Sequence, residues 1–138
     1  MKARVKLVEG ITFLAESGSG HAVVMDASPE VGGRDMGARP MEMVLMGAGG
    51  CSAIDVVHIL RKARQDLVDC VVEVEGERAA EDPKVFTRIH MHYVVTGRGL
   101  NPAQVERAIR LSKEKYCSAT IMLAKTAEVT ADFEIREA

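Results

Sequence analysis

Pro40-Met41-Glu42-Met43-Val44-Leu45-Met46-Gly47-Ala48-Gly49-Gly50-Cys51-Ser52-Ala53-Ile54-Asp55-Val56-Val57-His58-Ile59-Leu60 is the segment around which the rest of the chain must be arranged. Proline suits the first position of a helix, since its φ is already fixed and its missing N–H is not needed there. Glu42 lies where a carboxylate complements the positive end of a helix dipole. From Met41 to about Arg64 the chain is helix-compatible and apolar on nearly every face, which predicts burial on all sides. A helix of ~24 residues is roughly 36 Å long, more than one chain of 138 residues readily encloses. A second copy resolves this, so an intertwined homodimer with two buried central helices is expected. Gly47, Gly49 and Gly50 permit close backbone approach there. Met43–Leu60 approaches the length of a membrane span but contains Asp55 and His58, and a charge at mid-bilayer costs ~2.5–3.5 kcal/mol. Residues 1–6 alternate charge without an apolar signal core. The reading is a cytoplasmic protein with no membrane partner.

The flanks read as strands. Ala3, Val5 and Leu7 alternate with Arg4 and Lys6, a half-buried strand. Ile11–Leu14 and Ala22–Met25 follow turns at Glu9-Gly10 and Ser17–Gly20, giving an antiparallel meander, and residues 27–39 form a polar loop. Beyond the helix, Cys70–Glu77 and Val85–Val95 alternate and form a long hairpin. Asn101 caps a helix starting at Pro102 and reaching about Tyr116. Cys117–Leu123 is a short further helix and Ala127–Arg136 a terminal strand. The order β-β-β-α-β-β-α-α-β over residues 1–138 is one α+β domain.

Composition removes several functions. Lys plus Arg is 18 and Asp plus Glu is 20, a net charge of -2, so a basic footprint for nucleic acid is missing. Phe13, Phe86, Phe133, Tyr93 and Tyr116 are too scattered for base stacking. Cys51, Cys70 and Cys117 form an odd set without a CxxC pair, which argues against a secreted disulfide scaffold.

Cys51 carries the chemistry to be weighed. A free cysteine in an apolar helix usually packs as a small hydrophobe; as a nucleophile it needs a cation, helix terminus or base to favour the thiolate. Asp55 and His58, at i+4 and i+7, share its helical face. His58 stands roughly 10 Å along the axis, too far to be the direct base. A metal site on that face lacks further ligands, so no metal is assigned. Gly47–Gly50 lack the Lys-Ser/Thr of a phosphate loop, and no cofactor is expected. His90 and His92 share one strand face and read as solvated, with no acidic pattern adjacent in sequence. Cys70 reads as a packed thiol.

The segment from Pro40 to Ser52, followed by Ala53-Ile54-Asp55-Val56-Val57, resembles the central-helix motif of the OsmC/Ohr family, in its YhfA-like branch. Glu114-Lys115-Tyr116-Cys117-Ser118 resembles that family's second cysteine motif, and the element order over all 138 residues is similar. The resemblance implies an OsmC-like fold and a thiol peroxidase acting on organic hydroperoxides. Cys51 is then the peroxidatic thiol, Cys117 the resolving thiol, and a dithiol the reductant. Met and aliphatic residues are expected to line the site. The family's acidic residue directly follows the proline, whereas here Met41 intervenes before Glu42, which an ideal helix turns about 180° away from Cys51. The early turn carries no arginine; Arg39 and Arg34 in the following loop are the candidate activators. These departures leave two alternatives open, a non-catalytic dimer binding a small apolar ligand and a thiol redox sensor.

Overall fold

In the computed structural model, which describes residues 1–138, the long helix (α1) runs from Pro40 to Lys62. Its C-terminus is closed by Arg64, whose φ of 56° is left-handed. Gln65 N–H donates to Leu60 C=O at 3.0 Å and Arg64 N–H to Arg61 C=O at 2.9 Å, a Schellman closure with arginine where glycine is usual. The chain divides into two compact units, Met1–Val44 and Leu45–Ala138, each with a three-stranded sheet.

In the first unit β1 (Ala3–Glu9), β2 (Thr12–Ser17) and β3 (Ala22–Met25) form the expected antiparallel meander. β1 is exposed on both faces rather than half-buried. The polar loop after it is tied to a buried carboxylate. Asp26 accepts from Thr12 Oγ1 at 2.8 Å, from Ala27 N–H at 2.7 Å and from Met36 N–H at 3.3 Å.

In the second unit β4 (Asp66–Arg78) and β5 (Phe86–Arg98) pair antiparallel as a long hairpin. β6 (Glu128–Glu137) joins β5 in parallel, so the sheet is mixed rather than wholly antiparallel. A parallel neighbour needs a crossover of a dozen or more residues. α2 (Pro102–Leu111), a π-helical turn (Ser112–Tyr116) and α3 (Ser118–Leu123) supply it. Asn101 Oδ1 caps α2 by accepting Ala103 N–H at 2.9 Å. Cys117 does not open a helical run as expected but is the N-cap of α3.

The core lies between α1 and this sheet. Ala48, Val56 and Leu60 from α1 are fully buried with Val95 of β5 and Val105 and Ala108 of α2. Gly49 sets the approach, since an added Cβ would stand 2.9 Å from Val74 Cγ2 on β4. α1 is long and apolar enough to cross a membrane, but this face is core. The opposite face is open, with Ile54 72% and Met46 60% exposed, so within one chain the helix is not buried on all sides.

Candidate active site

α1 and the crossover bring the two sequence-expected cysteines together. The Cys51 and Cys117 sulfurs and an Asp55 carboxylate oxygen lie within 4.8 Å of one another. Helical spacing puts Asp55 one turn after Cys51, and the cap geometry of α3 turns Cys117 inward. Cys117 is buried, whereas Cys51 and Asp55 are half-buried. Both thiols are free. Cys117 Sγ accepts Thr120 N–H at 3.4 Å and donates to Ala48 C=O at 3.9 Å.

Burial pushes the Cys117 thiol above its ordinary value, and the neighbouring Cys51 adds to the rise. The Thr120 hydrogen bonds work the other way.

Asp55 is anchored from behind. Ser112 Oγ–H donates to Asp55 Oδ2 at 3.0 Å, and the Ser112 and Ser52 hydroxyls are bonded at 2.9 Å. Ser52 is also bonded to Tyr93 Oη at 2.5 Å. Burial raises the Tyr93 hydroxyl above its usual value, so the chain of hydroxyls stays neutral. Asp55 forms no salt bridge and stands at the half-buried outer end of this network.

Sequence reasoning gave Ser112, Ser52 and Tyr93 no role, and took Asp55 as a face-mate of Cys51 and as a metal ligand that it set aside. The contacts span 41 and 60 residues, for which no local pattern exists. His58 lies away from the thiols, on an open cleft of about 460 Å³ that Asp55 also lines. Ile59 and Leu111 are its apolar walls, with Lys62 and Arg107 facing it too, and neither thiol lines it.

Arg39 and Glu42 sit in the first unit and pair with each other. Glu42 Oε1 accepts Arg39 N–H at 2.8 Å and its guanidinium at 3.4 Å, and Asp35 holds the guanidinium at 3.2 Å. These bonds to Arg39 lower the Glu42 carboxyl below its usual value. Arg34 is engaged with Glu9 at 3.3 Å and Thr12 at 3.2 Å. Cys70 is half-buried on β4, its thiol raised by burial and by Asp69.

His90 and His92 are not merely solvated, because the parallel register sets β6 carboxylates against them. Asp132 Oδ1 is 3.0 Å from His90 Nε2 and 2.7 Å from His92 Nδ1, and Glu134 is 3.5 Å from His92 Nε2.

The OsmC-like protein family profile matches residues 32–132. The chain is 56% identical over 135 residues to protein YhfA of Escherichia coli strain K12, covering 98% of each. Its structure is similar to that of a hypothetical protein from Aquifex aeolicus VF5, with 30% identity, 99% and 96% coverage and a TM-score of 0.87. An organic hydroperoxide resistance protein OsmC from Legionella pneumophila shares the fold at 18% identity, with 97% of each chain covered and a TM-score of 0.73.

Proposed function

This chain belongs to the OsmC/Ohr family, and from that premise we propose that it is a thiol peroxidase reducing organic hydroperoxides. The observation that carries the reading is the placement of two free thiols, Cys51 and Cys117, within 4.8 Å of each other. Ionised Cys51 attacks the terminal peroxide oxygen; the O–O bond breaks and the departing alkoxide takes up a proton as an alcohol. The Cys51 sulfenic acid then condenses with Cys117, releasing water and forming a disulfide. A dithiol restores both thiols by exchange and is itself oxidised. The site uses no bound cofactor in this cycle.

A nucleophilic Cys51 needs a cation or base beside it to favour the thiolate. Arg39, oriented by Glu42, is assigned that role, supplied by the same chain or by a second copy. The open apolar face of α1, with Ile54 and Met46 exposed, supports a homodimer closed over that face. The family profile runs through both compact units, which supports residues 1–138 acting as one domain. The protein is placed in the cytoplasm, where dithiol reductants keep cysteines reduced.

The test is consumption of cumene hydroperoxide with a dithiol. Cys51→Ser should abolish it, whereas Cys117→Ser should react once and accumulate a sulfenic acid trappable by dimedone. Full turnover by Cys51→Ser would refute the assignment.

A further inference from the structure

We propose that the reduced Cys51–Asp55–Cys117 cluster is a binding site for one Zn2+ ion, which caps both thiols. Three donors converge from α1 and the start of α3, with their ligand atoms mutually within 4.8 Å. Tetrahedral zinc, with Zn–S near 2.3 Å and Zn–O near 2.0 Å, needs S···S of about 3.8 Å and S···O of about 3.5 Å. From separations of at most 4.8 Å, closing each pair by no more than about 1.3 Å meets that requirement. Two thiolates and one carboxylate are a donor set that favours zinc over calcium or magnesium.

The surroundings already orient the ligands. Ser112 holds Asp55 by Oδ2, leaving Oδ1 free, and is itself fixed by Ser52 and Tyr93. Thr120 N–H holds Cys117 Sγ. Such outer partners set ligand orientation at metal sites. Asp55 has no cationic partner, so ionising both thiols beside it leaves three negative charges for a divalent cation to balance. Half-burial of Cys51 and Asp55 provides an entry path and a fourth position for water.

Loading is not a redox step. Two S–H bonds break, two Zn–S bonds form, and about two protons pass to solvent per ion. The zinc-bound thiols are withheld from peroxide, and forming the Cys51–Cys117 disulfide removes the site. The proposal does not depend on peroxidase activity, because its readout is metal binding.

Co2+ titration of the reduced full-length protein without oxygen tests it. The expected result is one Co2+ per chain with thiolate-to-cobalt charge-transfer absorption, bleached by Zn2+. Cys51→Ser and Cys117→Ser should each lose about half the charge-transfer intensity. Cys70→Ser should lose none, and Asp55→Asn should bind at least about tenfold more weakly. In case a variant misfolds, wild-type protein is alkylated with iodoacetamide with and without Zn2+ and mapped by peptide. Zn2+ should shield Cys51 and Cys117 but not Cys70. Cobalt bound without charge transfer, binding lost only when His90 and His92 are replaced, or unshielded Cys51 would each overturn the proposal.

Discussion

Ser112 joins two groups that the chain places far apart, donating to Asp55 while bonded to Ser52. Removing its hydroxyl leaves a buried serine and a half-buried carboxylate short of a partner, and an unsatisfied buried group costs about 1–3 kcal/mol. Ser112→Ala should therefore lower unfolding stability in urea by that amount; a loss below about 0.5 kcal/mol would show the network to be dispensable. The clustered cysteines were more legible in the sequence than their support. Cys51 and Cys117 stand in family-like motifs, and Asp55 follows from helical spacing. The roles of Ser112 and Tyr93 were not legible, because a serine in line with Val105, Ala108 and Ile109 and a tyrosine in an alternating strand carry no sign of which partner they meet across the core. Arg39 and Glu42 were singled out by motif, and the structure pairs them with each other.

At the level of elements, two features lend themselves to measurement. Arg64 holds the left-handed position that closes α1, a conformation costing a side-chain-bearing residue about 1–2 kcal/mol. Arg64→Gly should raise the thermal midpoint, with a net gain of about 0.5–1 kcal/mol once glycine's unfolded-state entropy is subtracted. An unchanged or lower midpoint would contradict the closure described.

The β5–β6 pairing makes a second prediction. The hydrogen bond that Asp132 accepts from His92 raises His92 above the usual 6.5, and His92 in return holds Asp132 below the usual 3.8. A raised histidine stabilises fully below its unfolded value and loses that contribution as pH climbs through the folded value. The lowered carboxylate stabilises above 3.8 and loses its contribution as pH falls through its folded value. The pair thus supports the sheet between those limits, and wild-type protein should lose more stability than Asp132→Asn as pH rises from about 6 to 8. Proton NMR should find His92 of Asp132→Asn titrating lower than in wild type; equal titration would sink the idea. The acidic partners escaped the sequence reading because they sit 40 residues downstream. Local alternation identifies β6 as a strand, but parallel pairing through a crossover decides which side chains it sets beside His92.

For the molecule as a whole, the apolar run of α1 announced more hydrophobic surface than one chain covers, and Ile54 on the open face is what remains. Ile54→Lys at the centre of a self-association surface should shift sedimentation from a dimer towards a 15.0 kDa monomer. Wild-type protein sedimenting as that monomer at micromolar concentration would contradict the assembly.

The claim that matters most is that the paired thiols are an active site rather than packing. Stopped-flow mixing of reduced protein with cumene hydroperoxide, followed as a single turnover across pH, addresses it directly. The account predicts that Cys51 reacts at least about a hundredfold faster than free cysteine at the same pH, the scale of a positioned catalytic group. It further predicts that the product is a Cys51–Cys117 disulfide. A rate no greater than that of the free thiol would contradict the peroxidase assignment.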